Sequence, residues 1–270
     1  MDNLDRSLRF YSQDVFKKEI WFQIASIDYE ELIHLFDFKL LFNSYKNPIK
    51  LLDVGCGTGQ FPRMLASHLD PKISIDYHGM DPSPYSLEEI KKSLTDPFRA
   101  PTLIKAKAED LDALPLKENR YDIIWAIHSC YCLENSSIPI VLEILVQMLN
   151  DNNSKLIIYQ ASPVSSYYLA QEMYYKYVMP QNYQPLVFAS DIQMALDELS
   201  ISYAIETIRF NHAVPKHFLE YYLAQCLFSS TPLKLWYISD KSRNWLESLR
   251  VEDIYFFPQE VCLITVQKND

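Results

Sequence analysis

The chain has 270 residues, of which 49% are hydrophobic and 22% are charged. This composition predicts a globular fold with an ample apolar core and excludes a disordered chain. The formal net charge is −10, which disfavours nucleic acid as a partner because an acidic surface repels phosphate groups. No apolar run approaches the roughly 20 residues of a membrane-spanning helix, so we expect no membrane insertion.

The cysteines and the first residues indicate a cellular compartment. The cysteines are odd in number and scattered, without a Cys-x-x-Cys pair: Cys56, Cys130, Cys132, Cys226 and Cys262. We therefore expect reduced thiols and no structural zinc. The first ten residues lack the charged-then-apolar pattern of a signal peptide. Together these features predict a cytoplasmic protein.

Residues 1–45 are predicted to be mainly helical, because apolar positions recur at helical spacing. From residue 46 to residue 160, short apolar runs alternate with amphipathic segments. Strands are predicted at 49–54, 73–80, 102–107, 121–127 and 154–160, and helices at 60–69, 86–95 and 137–149. Ser86 and Glu89 have the spacing of a capping box at the start of the second helix. The alternation predicts a doubly wound, mostly parallel α/β sheet.

Residues 161–270 follow a different pattern, which begins with a tyrosine-rich segment at 165–185. A helix is predicted from Ser190–Asp191 to about Leu199. A strand near 203–210, helices at 215–228 and 240–249, and a final strand at 261–268 complete the chain. The whole pattern predicts a seven-stranded sheet with an N-terminal helical segment and an aromatic-rich helical insertion after the fifth strand.

The most specific signal is the segment LLDVGCGTGQF at 51–61. Three of the four glycines, Gly55, Gly57 and Gly59, fall within five residues between a predicted strand and a predicted helix. Glycine permits positive φ and lets a ligand approach the backbone closely, although an ordinary turn is the alternative. Gln60 stands where a dinucleotide loop has its third glycine, and no Gly-Lys-Ser/Thr phosphate loop is present.

With Asp53, this loop reads D-x-G-x-G-x-G and resembles the first motif of class I S-adenosylmethionine-dependent methyltransferases. The resemblance implies a Rossmann-like fold and S-adenosylmethionine as cofactor. It also implies that the cofactor is bound by Asp53, Gly55, Cys56, Gly57 and Gly59.

Two later segments extend this resemblance. Asp81 and Pro82 lie at the end of the second strand, where a carboxylate can accept both ribose hydroxyl protons, with a solvated turn as the alternative. The segment AEDL at 108–111 resembles the part of the family that contacts adenine. That contact would involve Glu109, Asp110 and Leu111.

The end of the fourth strand reads AIHSCY at 126–131. By the resemblance, the backbone of Ile127 and His128 runs beside the methionine part of the cofactor. His128 is the main candidate for catalysis, because an imidazole can take a proton from an ammonium or orient an amine. Tyr131 is the second, because its hydroxyl can orient the nucleophile. The alternative for His128 is a histidine that only bonds to the backbone at a strand end.

Two sequence features that are absent from the end of the fourth strand limit the reactions that we expect. The Asn/Asp-Pro-Pro-Tyr/Phe tetrapeptide of methyltransferases that act on nucleobases and glutamine amides does not occur at this strand end. The carboxylates that hold magnesium in catechol-type enzymes are also missing there. We therefore expect no metal ion.

The order of features is loosely similar to histamine N-methyltransferases. The similarity rests on Phe10–Tyr11 and Phe16 near the start, on His128 and Tyr131, and on the aromatic insertion. In that family a glutamine stands at the place of His128 and a tyrosine at the place of Cys132. The similarity implies an aromatic-lined pocket for a small molecule, with Tyr11, Phe16, His128, Tyr131 and Tyr167 as substrate contacts.

These observations predict one methyltransferase domain over residues 1–270. It would comprise a helical lid at 1–45, a cofactor-binding core at 46–160 and a substrate-side part at 161–270. The expected reaction is methyl transfer from S-adenosylmethionine to a small molecule, on an amine nitrogen. Three alternatives stay open: O- or carboxyl-methylation of a natural product, a cofactor-binding protein without turnover, and modification of RNA or protein.

Overall fold

The computed structural model describes residues 3–11, 18–98, 101–180 and 185–268. In these ranges one sheet has the strands β1 (Ile49–Val54), β2 (Ile75–Met80), β3 (Thr102–Ile104), β4 (Ile123–Ile127), β5 (Lys155–Ala161), β6 (Tyr203–Pro215), β7 (Arg250–Val251) and β8 (Ile254–Gln267). The helices are α1 (Asn3–Tyr11), α2 (Lys18–Leu35), α3 (Phe38–Asn43), α4 (Gln60–Ala66), α5 (Pro84–Ser93), α6 (Ile138–Gln147), α7 (Ser166–Tyr177), α8 (Ala189–Glu198), α9 (Leu219–Leu227), α10 (Leu233–Trp236) and α11 (Asp240–Ser248).

The strand order is β3-β2-β1-β4-β5-β8-β6, with the two-residue β7 paired to β8. Strands β1 to β5 pair in parallel, and β8 runs antiparallel between β5 and β6. The order reverses between β1 and β4, because β1 pairs with β2 on one side and with β4 on the other. In an open α/β sheet such a reversal leaves a crevice at the carboxyl ends of the strands, where ligands bind.

Apolar clusters cover both faces of the sheet. One face packs against α6 and α8, and the other packs against α2, α3, α4 and α5. A third cluster joins α7, α9, α10 and α11 to β6 and β8 beyond the parallel strands. The central strands β1 and β4 are buried almost throughout, which is why they appear in the sequence as continuous apolar runs.

The predicted Rossmann-like α/β fold is confirmed, with seven strands along the main path and the short β7 as an eighth. The predicted cap at Ser86 is wrong. Helix α5 begins at Pro84, and the hydroxyl of Ser83 caps it by accepting from the Ser86 amide at 3.2 Å. Proline suits the first position of a helix, so Ser83 and Pro84 together set the start.

Three strand boundaries differ from the prediction by three or more residues. The final strand begins at Ile254 rather than 261 and pairs with β6 along its whole length, so β6 also extends to Pro215. The third strand ends at Ile104, before the predicted residue 107. Within the described ranges, no helix has the length and apolar composition to cross a bilayer.

Candidate functional site

A cavity of about 270 Å³ opens at the carboxyl ends of β1, β2 and β4, where the strand order reverses. One part of its wall comes from the glycine loop, the turn after β2 and the end of β4. The other part comes from α1, α2, α7 and α9. We call the first part the cofactor side and the second part the acceptor side.

The three loop glycines all have positive φ, but the space around them differs. A Cβ at Gly55 would clash with the side chain of Ser129, and a Cβ at Gly59 would lie 2.6 Å from Ile90 of α5. At Gly57 the described part of the chain leaves open space, because apart from the neighbouring residues no atom of it lies within 4 Å of a Cβ at that position. Packing therefore explains Gly55 and Gly59, whereas the space beside Gly57 is available to a ligand.

We expect Gly59→Ala to lower the free energy of unfolding by about 2–4 kcal/mol, because the new methyl group would meet Ile90 at positive φ. The matched variant Gly57→Ala has the same backbone strain but no clash, so its loss should be about 1 kcal/mol. Urea unfolding of the three proteins measures both values. Equal losses in the two variants would show that packing around Gly59 does not make its substitution more destabilising than that of Gly57.

Asp81 follows β2 and lines the cavity beside the loop. One carboxylate oxygen accepts from the Gly57 amide at 3.0 Å, and the other accepts from the Ser83 amide at 2.8 Å. Burial raises the pKa of Asp81, and the two backbone hydrogen bonds act against this. The sequence left two interpretations of Asp81, as part of a turn and as a group that binds the ribose. They are compatible, because the same carboxylate stabilises the turn and faces the cavity.

Asp53 is the penultimate residue of β1 and also lines the cavity. Its carboxylate accepts a hydrogen bond of 2.6 Å from the hydroxyl of Tyr77, and the residue is almost fully buried. Burial raises the pKa of Asp53 to about 7, opposed by the Tyr77 hydrogen bond and reinforced by the nearby Asp81. A cationic ligand group beside Asp53 would favour its ionised form.

This raised pKa predicts a pH-dependent cost in stability. The folded chain keeps a proton on Asp53 that the unfolded chain releases near pH 3.8. The contribution of this protonated carboxyl group to the free energy of unfolding is therefore full below pH 3.8 and is lost as the pH rises through 7. The variant Asp53→Asn stays neutral. Its melting temperature relative to the parent should therefore be higher at about pH 8 than at about pH 5. A difference that does not change with pH would contradict the raised pKa.

Three residues predicted at the adenine do not line the cavity. Leu111 is fully buried in the core beneath α6. Asp110 accepts from the Lys107 amide at 3.2 Å, and Glu109 lies 3.4 Å from the Glu134 amide. On the cofactor side, the cavity wall instead continues from Pro82 along the start of α5.

The remaining predicted residues on the cofactor side line the cavity. Cys56 is buried, with its sulfur close to Gly79 of β2, so it contributes to the wall mainly through its backbone. Ile127 ends β4, and Pro82 follows Asp81. The structure therefore brings together most residues of the predicted cofactor site.

His128 lies at the junction of the two sides of the cavity. Its φ is +53°, a left-handed conformation that is uncommon for a residue other than glycine. Its Nδ1 lies 2.8 Å from the Tyr131 hydroxyl, and its ring packs edge-on against Tyr159. His128 and Tyr131, the two predicted catalytic residues, thus contact each other in the wall of the cavity.

Asp28 is the functional candidate that the sequence analysis missed. It lies on α2, is 2% exposed and lines the cavity. One oxygen lies 2.7 Å from Nε2 of His212, and the other lies 3.3 Å from Nε2 of His128. Burial alone would raise the pKa of Asp28, but the charges and hydrogen bonds of the two histidines outweigh burial and hold it below its ordinary value.

A signal for Asp28 is present in the sequence. Ile24, Asp28 and Leu32 are spaced four residues apart on α2, so the aspartate interrupts an apolar stripe. His212 likewise occupies an inward position of β6, two residues before Val214. All five side chains are buried. A carboxylate in an apolar stripe and a histidine in an apolar alternation together indicate a buried ion pair.

Aromatic side chains dominate the acceptor side. Tyr11 accepts a hydrogen bond of 2.6 Å from the amide of Gln225, and Tyr167 lies between His128 and Tyr222. Both tyrosines line the cavity, as predicted. Phe16, the other predicted substrate contact, lies outside the described residues. The acceptor side, as far as the structure describes it, therefore combines an aromatic wall with the buried carboxylate of Asp28.

Neither a metal site nor a disulfide is present in the described part of the chain. No group of three or more His, Cys, Asp and Glu side chains there is arranged to hold a metal ion. All five cysteines are free thiols, and four of them are buried.

Residues 51–152 match the family profile described as methyltransferase domain. The N-methyltransferase NodS from Bradyrhizobium japonicum, crystallised with S-adenosyl-L-homocysteine, is 12% identical; the match covers all of both chains, with a TM-score of 0.55. Magnesium protoporphyrin IX methyltransferase from Synechocystis is 14% identical over 97% of this chain and 93% of that one, with a TM-score of 0.54. At these identities the two structures show a shared fold.

A Thermotoga maritima protein described as a possible histamine N-methyltransferase is 17% identical over 97% of this chain and all of that one, with a TM-score of 0.52. No curated protein sequence matches the chain. The family match spans the glycine loop, Asp81 and the end of β4, and the fold agrees with it over the rest of the chain. Residues 51–152 therefore form a methyltransferase domain, and the chain shares its fold with methyltransferases of known structure.

Proposed function

We propose that this methyltransferase acts on an amine nitrogen of a small molecule. The observation that supports this choice is the buried carboxylate of Asp28 in the wall of the acceptor side. A cavity of about 270 Å³ suits a small molecule better than a segment of protein or RNA. The net charge of −10 also disfavours a polyanionic acceptor.

The residues on the cofactor side fit S-adenosylmethionine. Open space lies in front of Gly57, and the wall next to it carries two carboxylates. Asp81 is suited to accept from the ribose hydroxyls, and Asp53 is suited to the cationic amino group. When bound, the cofactor supplies an electrophilic methyl group, and the electrons of the broken C–S bond remain on sulfur.

Asp28 discriminates between classes of acceptor by its charge. Because its pKa is held below the ordinary value, the carboxylate is ionised at neutral pH. The ionised carboxylate can accept a hydrogen bond from an ammonium but has no proton to donate to a carboxylate, so carboxyl-methylation is disfavoured. An alcohol would be tolerated but not attracted. The electrostatics of the acceptor side therefore favour an amine.

A panel of small amines, alcohols and carboxylic acids tests the proposal, with S-adenosyl-L-homocysteine as the measured product. We expect turnover with amines, and a loss of about 10-fold or more in kcat/KM for Asp28→Asn. Asp76→Asn on β2 is the matched control, because Asp76 also contacts a histidine (Asp76 Oδ1–His78 Nε2, 3.4 Å) but lies outside the cavity.

Two results would contradict the proposal. Preferential methylation of carboxylic acids would show that Asp28 does not select the acceptor. Tight cofactor binding without transfer to any member of the panel would instead favour a cofactor-binding protein without turnover.

A further inference from the structure

A chain of buried polar side chains leads to Asp28 from the side opposite the cofactor. The Ser165 hydroxyl donates to the side-chain carbonyl of Gln259, whose amide donates to the Tyr222 hydroxyl at 3.0 Å. The Tyr222 hydroxyl lies 3.0 Å from Nδ1 of His212. Nε2 of His212 lies 2.7 Å from one oxygen of Asp28. Each member is buried, so the chain holds His212 and Asp28 in fixed positions.

The position of one proton follows from the charge on Asp28. An ionised carboxylate only accepts hydrogen bonds, so Nε2 of His212 must carry a proton. This donation occupies one carboxylate oxygen. The other oxygen lies 3.3 Å from Nε2 of His128, and neither of these two atoms has any further hydrogen-bond partner within the described ranges.

The same charge determines the tautomer of His128. The anionic oxygen of Asp28 favours a proton on Nε2 of His128 and disfavours a lone pair there. The lone pair of neutral His128 then resides on Nδ1, which lies 2.8 Å from the Tyr131 hydroxyl. The backbone amide of Ala161 donates to the same hydroxyl at 3.3 Å. The Tyr131 hydroxyl proton is therefore directed at Nδ1, and the oxygen keeps a lone pair for the cavity.

We propose that the Tyr131 oxygen takes the proton from the substrate ammonium while the Tyr131 hydroxyl proton passes to Nδ1 of His128. The inference rests on the proposed amine acceptor. An N–H bond of the ammonium breaks as an O–H bond forms on Tyr131, and the original O–H bond breaks as an N–H bond forms on His128. The amine gains its free lone pair, and the new imidazolium faces the anionic Asp28.

Both proton movements must be coupled. Burial raises the pKa of Tyr131 well above its ordinary value, so a free tyrosinate is too costly in this site. Tyr131 can accept a proton only if it releases its own to His128. Tyr131 and His128 are then catalytic residues, whereas Asp28 and His212 are positioning residues. The titratable side chains that face His128 are Asp28, Tyr29, Tyr131, Tyr159 and Tyr167.

Nitrogen-15 NMR of the histidine-labelled protein tests the assigned proton without any ligand. In the neutral form of His128, which a pH titration of its own nitrogen-15 signals identifies, we expect a protonated Nε2 and a bare Nδ1. His128→Asn identifies its signals. Asp28→Asn should let the two tautomers of His128 mix, because the anion that selects one of them is gone. A protonated Nδ1 on His128 in the parent protein would overturn the relay, whatever the acceptor.

The pH dependence of Tyr131→Phe provides the second test, using the amine with the highest turnover in the panel. At about pH 7 we expect kcat to fall by about 100-fold, and to recover at a pH where the amine is already neutral in solution. Tyr121→Phe is the matched control, because its hydroxyl makes the same bond to His78 at 2.7 Å outside the cavity. A loss that is equal at every pH would overturn the relay.

These two tests separate the relay from the proposed function. If no amine is methylated, the proposed function fails, and the NMR tautomers alone decide whether the relay geometry exists. If amines are methylated but Nδ1 of His128 is protonated, the proposed function stands and the relay fails.

Discussion

Asp81→Ala is expected to weaken S-adenosylmethionine binding by about 100-fold. The carboxylate is suited to accept from both ribose hydroxyls, and each hydrogen bond to a charged group contributes about 1.5–3 kcal/mol. Asp81 is also buried against the Gly57 amide, so its loss leaves the loop less fixed. Isothermal calorimetry at constant pH measures the change in dissociation constant.

Two further variants separate binding from folding in this prediction. Asp81→Asn keeps the shape and one acceptor oxygen, so it should retain the turn at Ser83 while losing most of the affinity. Asp76→Ala removes a carboxylate from the same strand outside the cavity and should leave the affinity unchanged. An unchanged affinity in Asp81→Ala would count against the ribose role.

His128→Asn is expected to lower kcat by about 100-fold or more, while cofactor affinity changes by less than about 3-fold. His128 contacts both Tyr131 and Asp28, and its loss removes the group that receives the Tyr131 hydroxyl proton in the proposed relay. Asparagine is preferred to alanine because the backbone there has φ of +53°, which asparagine tolerates better. Single-turnover kinetics and calorimetry measure the two quantities separately.

His78→Asn is the matched control for this experiment. His78 bonds a tyrosine hydroxyl through Nδ1 and faces an aspartate through Nε2, as His128 does, but it lies outside the cavity. It should leave kcat unchanged. Equal losses of turnover and cofactor affinity in His128→Asn would point to a structural role for His128.

The parallel half of the fold could be predicted because its signals are local. The strands β1 and β4 are buried on both faces and stand out as apolar runs, and the glycine loop directly follows β1. The end of the sheet was harder to predict. Pro258 lies within β8, where a proline normally argues against a strand. It is tolerated because β5 pairs with β8 only from Val261 onward, which leaves the backbone at 258 unpaired on that side.

The residues of the candidate site also differ in how readily they could be predicted from the sequence. The cofactor side lies within one short stretch of sequence, so a single motif indicated most of its residues. Asp28 and His212 are 184 positions apart in the sequence, and the role of each residue follows from its contact with the other in the folded chain. A lone aspartate on a helix indicates a solvated face, and only the folded chain shows that this one is buried.

The two sides of the cavity also come from different parts of the chain. The residues of the cofactor side lie between Asp53 and Cys132, whereas Asp28, Tyr167, His212 and Gln225 lie before or after that stretch. Substitutions that change which acceptor molecule is bound need not alter the residues suited to bind the methyl donor. Substitutions at Asp28, Tyr167 or Gln225 can therefore change the acceptor side without altering the residues that line the cofactor side.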